Sequence, residues 1–368
     1  MVGPSPQLNS SAFLALEDGS LFRGLTLGCV GETEGELVFN TSHAGYQEIL
    51  TDPSYKRQII CMAFPPMGNY SFTEDAAESG GVHVAGFIVA DSSRVTSHGR
   101  GGLTLDEYLR RHNVVGMTGV DTRAIVRRVR TRGAMRAVIS SVSNDPAALV
   151  NRARGASAMA GADLVRELEH DRAIRVVPPG GKIPFALLEC GVKQGIVDSL
   201  VRRDCRVTIF PSDSKAQDLL ASMPAGVLLS NGPGDPAALP GIVTEVRALI
   251  GKVPIFGICL GHQLLGLAAG GKTYKLPFGH RGGNHPVLDL RTNAIVITSQ
   301  NHGFAVDVDS LPEGTIATET NLYDGTNEGI ELVGRQAFSV QYHPEARPGP
   351  LESAERFERF LEMVGKHA

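Results

Sequence analysis

The second half of the chain alternates short apolar runs with amphipathic segments, and few folds accept that pattern. Residues 184–188 (PFALL), 206–210 (RVTIF), 226–230 (GVLLS) and 253–257 (VPIFG) read as strands. Between them, 195–203, 215–223 and 242–250 read as helices, the first with Ile196, Leu200 and Val201 on one face. Strands that are apolar on both faces, in strict alternation with helices, predict a parallel sheet covered on both sides. Ligands of such sheets bind beyond the carboxyl ends of the strands. Two Gly-rich loops fall there, NGPGDP at 231–236 and GICLG at 257–261.

The first half reads differently. Short strands are predicted at 12–16, 36–39, 58–61 and 83–89, then helices at 103–112 and 122–131. A smaller mixed α/β domain over 1–156 is expected. The irregular stretch 157–182, with Pro178-Pro179-Gly180-Gly181, reads as a linker. Residues 183–368 then form the α/β domain. A total of 368 residues suits two domains at roughly 150 each.

A formal charge of −4 does not point to nucleic acid. No apolar run approaches the ~20 residues of a membrane helix. The N-terminus lacks the basic start and apolar centre of a signal peptide, so a cytoplasmic protein is expected. The five cysteines (29, 61, 190, 205 and 259) are scattered without a CxxC pair, which argues against disulfides and zinc-thiolate sites.

One cysteine differs in its setting. Gly257-Ile258-Cys259-Leu260-Gly261 follows a strand and opens an apolar helical run at 262–269. A nucleophile on a tight strand-to-helix turn projects into the crevice, and flanking glycines let the chain pass closely. The helix start favours a thiolate, and the Leu260 N–H faces an oxyanion. A buried structural cysteine in a Gly-containing turn is the alternative, weaker because strand and helix both match. A base is offered by Gln341-Tyr342-His343-Pro344-Glu345, after an apolar strand at 337–340. Glu345 can fix the His343 tautomer and leave the other nitrogen to Cys259.

The remaining histidines carry less. His262 is predicted to point away from the turn and to pack or hydrogen-bond. His302, in QNHGF at 300–304, is placed in a loop after a strand at 294–298. His280 and His285, in GHRGGNHP, have metal-like spacing, but no thiol or acidic cluster accompanies them in the sequence. No metal is expected.

Together, GICLGHQ around Cys259, NGPGDP at 231–236 and HPE at 343–345 resemble class I (triad-type) glutamine amidotransferases. The first half narrows the resemblance. Asn40-Thr41-Ser42, the run from Gly45 to Tyr55 (GYQEILTDPSY), LDEYLRRHN at 105–113 and GVDTR at 119–123 are similar to the N-terminal domain of carbamoyl-phosphate synthetase small subunits. FGHRGGNHP at 278–286 and QNHGF also look like this family.

The resemblance implies glutamine hydrolysis through a glutamyl thioester, with Cys259 as nucleophile, His343 as base and Glu345 orienting it. It implies that L-glutamine is held by Ser54, Gly232, Gly234, Leu260, Gln263, Asn301, Gly303 and Phe304, and that Ser54 reaches the site from the first domain. It further implies a ligase of class EC 6.3.5.5. Ammonia would pass by an internal tunnel to a large-subunit partner, in a heterodimer or higher assembly, for arginine and pyrimidine biosynthesis. ATP, Mg and bicarbonate belong to that partner, and no cofactor is expected on this chain. One departure is Glu189-Cys190-Gly191, where the family has an acidic-aromatic-glycine triplet. Rival readings are an amidotransferase feeding another synthetase and a non-catalytic scaffold. The first half opposes the former, and the intact Cys259, His343 and Glu345 oppose the latter.

Overall fold

The computed structural model describes residues 10–97, 102–168, 173–178 and 180–365. The N-terminal segment 1–9, residues 169–172 and Pro179 of the expected linker lie outside the described residues. The chain forms two compact units, Met1–Met159 and Ala160–Ala368.

The first unit is built on seven strands: β1 (Ser11–Leu16), β2 (Leu21–Gly28), β3 (Glu32–Asn40), β4 (Gln58–Met62), β6 (Gly86–Ile88), β8 (Val115–Thr118) and β9 (Met135–Ser140). They close into a barrel in the order β1-β2-β8-β6-β4-β3-β9, sealed by antiparallel pairing of β9 with β1. Closure leaves no free strand edge. Two further short strands, β5 (Pro66–Met67) and β7 (Asp91–Ser92), pair with each other. Helices α1 (Tyr46–Thr51) and α2 (Leu105–Arg111) add Ile49, Leu50, Leu105 and Leu109 to a core with Leu27, Val38, Ile60 and Phe87. Thr104 and Glu107 form a reciprocal capping box that starts α2. Helix α3 (Thr122–Arg132) follows β8. Helix α4 (Pro146–Gly155) buries Leu149 and Ala153 against Ala15 and Val138.

The second unit carries a ten-stranded sheet. Its parallel centre runs β12 (Cys205–Pro211), β11 (Ile183–Glu189), β13 (Gly226–Leu229), β14 (Ile255–Ile258), β19 (Ala337–Val340). The strands predicted to alternate with helices lie in this parallel centre, and the rest of the sheet is antiparallel. Beyond β19 it continues antiparallel through β18 (Asn327–Leu332), β17 (Thr315–Asn321), β15 (Lys272–Asp289) and β16 (Ile295–Asp307). At the other edge β10 (Arg175–Val177) pairs antiparallel with β12. That strand, and the buried Leu164 and Val165, lie in the stretch predicted as linker. Their apolar side chains have a sheet to pack on, so the stretch is partly built into this unit.

The parallel strands are buried on both faces, for the reason the sequence predicts. Ala186, Leu188, Val227, Leu229 and Ile255 face one core, filled by Leu219 of α6 (Ala216–Ala221), Val246 and Leu249 of α7 (Pro240–Leu249), and Leu264 and Leu265 of α8 (Leu260–Ala269). Phe185, Leu187, Leu228, Phe256 and Ile258 face the other, filled by Ile196 and Leu200 of α5 (Gln194–Val201) and Phe357 and Phe360 of α9 (Glu355–Gly365). Each such side chain contributes ~1.5–3 kcal/mol by leaving water. This two-sided burial fixes the carboxyl ends of β14 and β19. Among the described residues, no helix is long and apolar enough to cross a membrane.

Candidate active site

Cys259 occupies the turn between β14 and α8. Its φ is +54° and ψ −103°, a conformation that non-glycine residues rarely hold. Its N–H donates to Val340 O of β19 at 2.9 Å, and its carbonyl accepts from His262 and Gln263 as α8 begins. The turn is tight enough to exclude side chains on both sides. A Cβ on Gly257 would meet Gly261 O at 2.6 Å, and one on Gly261 would meet Leu229 O at 2.2 Å. The glycines serve close approach, because neither has a positive φ.

His343 follows β19. Its N–H donates to Ser299 O of β16 at 2.9 Å, which anchors the backbone. Its Nδ1 lies 2.7 Å from Glu345 Oε1, while Nε2 is buried without a hydrogen-bond partner. Burial alone would push the imidazole pKa down, but the Glu345 carboxylate and then Cys259 outweigh it and hold it well above the usual histidine range. Burial would likewise raise Glu345. Lys193 and then His343 reverse this and hold the carboxyl at about 2. A thiol, an imidazole and an ionised carboxylate are therefore electrostatically linked in that order. Such a set can move a proton off the thiol and return it to a leaving group.

The other residues singled out by sequence divide into three groups. Asn301 O accepts from Cys259 Sγ at 3.5 Å. Gln263 Nε2 donates to Phe304 O at 2.8 Å and to Gln341 Oε1 at 3.0 Å, which joins α8 to β16 and the end of β19. Gly303 stands between Asn301 and Phe304 on β16. Gly232 lies against Leu260, whose Cδ2 would be 2.8 Å from a Cβ there, and Cys190 O would be 2.1 Å away. Gly234, with φ +92°, packs on Ala162 and Leu164. Ser54 belongs to the first unit, where it is buried and its N–H donates to Asp52 Oδ1 at 2.9 Å.

Two expectations change. QNHGF is not a loop: residues 300–304 run within β16, paired with β15 at Gly282↔Gln300, Arg281↔Asn301 and His280↔His302. Gln300, Asn301 and His302 are all buried there, so the run is polar without being solvated. His280 also gains acidic neighbours that sequence proximity hides, Asp324 and Glu328. His262 packs inward, with Nδ1 2.9 Å from Ser339 Oγ.

Comparison with known proteins places this geometry. Residues 186–363 match the family described as glutamine amidotransferase class-I. Residues 14–139 match the family described as carbamoyl-phosphate synthase small chain, CPSase domain. A carbamoyl phosphate synthase small chain from Syntrophotalea carbinolica is 47% identical over 369 residues, covering 97% of this chain and 98% of that one. The chain belongs to the carbamoyl phosphate synthase small-chain family. Proteins of the same description from Thermotoga maritima and Methanopyrus kandleri are 44% and 46% identical, each match covering 97% of this chain and 99% of theirs.

In this small chain two polar residues at the site carry no local sequence signal. Lys193 precedes α5 and is buried. Its Nζ donates to Glu345 Oε1 at 2.9 Å, Ala346 O at 2.7 Å and Arg347 O at 2.9 Å. Gln341 is fully buried and receives Gln263. A lysine just after a Gly-Val pair reads as a surface residue, and only the 152-residue contact to Glu345 distinguishes it.

Proposed function

We propose that this small chain hydrolyses L-glutamine and supplies the ammonia to a carbamoyl phosphate synthase large subunit. The observation that carries the reading is Cys259 on a positive-φ turn, electrostatically coupled to the His343–Glu345 pair. His343 takes the Cys259 thiol proton, and the thiolate attacks the carboxamide carbon of glutamine. His343 gives the proton to the departing amine, which leaves as ammonia. The Cys259 glutamyl thioester that remains is cleaved by water, giving glutamate and the free thiol. Glu345 holds the imidazolium during both steps.

The Leu260 N–H and the Gly232 loop serve the oxyanion. Gly234, Gln263, Asn301, Gly303 and Phe304 hold the substrate. The large subunit uses the ammonia with bicarbonate and ATP, so the small chain needs no nucleotide, magnesium or other cofactor. A tunnel carries the ammonia, the product serves arginine and pyrimidine synthesis, and the pair works in the cytoplasm as a heterodimer or larger assembly.

The test is to measure ammonia release from glutamine by the chain alone and with a large subunit, ATP and bicarbonate. Co-migration on size exclusion and glutamine-dependent carbamoyl phosphate formation are expected. A chain that forms no complex and releases no ammonia overturns the reading.

A further inference from the structure

The antiparallel wing of the second unit holds a group of side chains to which the mechanism above gives no role. His280 on β15 and His302 on β16 are cross-strand partners, and Glu328 reaches them from β18. One nitrogen of each ring and one carboxylate oxygen of Glu328 lie within 4.8 Å of one another, and all three residues are buried.

The hydrogen bonds decide which atoms are available. His302 Nδ1 donates to Phe304 O at 2.8 Å, so Nε2 carries the lone pair. That Nε2 is buried without a hydrogen-bond partner. His280 Nε2 lies 2.8 Å from Asp324 Oδ2, and donating there leaves the lone pair on Nδ1. Nδ1 sits 3.6 Å from Glu328 Oε1 and 3.5 Å from the Asn321 amide nitrogen. Glu328 is itself oriented, with Oε1 accepting from Asn321 at 2.8 Å and Oε2 from Gln300 at 2.9 Å. Two imidazole lone pairs and a carboxylate converge, and each ligating group is fixed from behind by an acceptor or donor. Metal sites are built this way, with an outer shell that sets tautomer and orientation.

We propose that His280 Nδ1, His302 Nε2 and Glu328 bind a divalent ion of the zinc class and tie β15, β16 and β18 together. Two nitrogens and one carboxylate suit zinc with a fourth position open. The charge fits as well. Two neutral rings with Glu328 inside and Asp324 behind leave two negative charges for a divalent ion. The site is independent of the glutaminase reading.

The test uses the full chain after treatment with a chelator, titrated with cobalt(II) as a visible-absorbing probe. One equivalent is expected to give a ligand-field band in the visible that zinc abolishes, and zinc is expected to raise the melting temperature. Glu328→Gln should lose both effects, while Cys259→Ser should keep both. Should Glu328→Gln fail to fold, X-ray absorption on the unmutated zinc-loaded chain reads the same site. Two imidazoles and no sulfur in the first shell support the proposal. Sulfur in that shell, a cobalt band that survives Glu328→Gln, or no band and no shift in melting at excess metal overturns it.

Discussion

Lys193 Nζ lies 2.9 Å from Glu345 Oε1, with both side chains almost wholly buried. Glu345 in turn holds His343, so the lysine acts one step behind the pair and positions it. It also closes two backbone carbonyls, Ala346 O and Arg347 O. Removing one member of a buried pair leaves an uncompensated charge and costs about 3–5 kcal/mol. Lys193→Met is expected to lose stability of that order in denaturant unfolding and to lower glutaminase turnover. Lys193→Met with Glu345→Gln should recover part of the stability but not the activity. A Lys193→Met chain within about 0.5 kcal/mol of the unmutated one would contradict this.

Gly261 is required by space. A Cβ there would lie 2.2 Å from Leu229 O, a backbone atom that cannot step aside without moving β13. Gly261→Ala is expected to destabilise by at least the ~1–3 kcal/mol of an overpacked core, and to displace Cys259. Thermal melting and glutaminase turnover should fall together. Turnover preserved at an unchanged melting temperature would show that the turn is looser than described.

His262 gives a pH dependence of known sign. Burial lowers its pKa from 6.5 to about 3. The folded chain refuses a proton that the unfolded chain accepts below 6.5, so the unfolded state binds more protons in that window. Stability from this group is whole above pH 6.5 and is lost as pH falls from there toward about 3. His302 and His285 act in the same direction. His262→Asn can keep the bond to Ser339 without the titration. Its unfolding free energy, measured between pH 7.5 and 5, should fall less steeply than that of the unmutated chain. Parallel slopes would remove His262 as a source.

The parallel centre of the second unit was legible because its signals are local. Phe185 to Leu188 face alternate cores, so every residue is apolar, and the helices between strands keep their period. The turn at Cys259 was legible because its glycines answer to backbone only a few residues or one strand away. The barrel was less so. Strands β2, β8 and β9 escaped prediction, and β9 is recognisable only by its pairing with β1 and β3, which lie far earlier in the chain. QNHGF at 300–304 looked like a loop because buried polar residues imitate solvated ones. The partner of Gln300, Glu328, comes from another strand of the sheet. Lys193 and Glu328 were invisible for the same reason, since a charge paired across a sheet has no signature in its own segment.

One substitution tests Cys259 as the nucleophile for glutamine. Cys259→Ser chain is assembled with the large subunit, and carbamoyl phosphate formation is measured with glutamine and, separately, with ammonium as nitrogen source. Loss of the glutamine-supported rate by several orders of magnitude, with the ammonium-supported rate intact, is expected. Equal glutamine-supported rates for Cys259→Ser and the unmutated chain would contradict it.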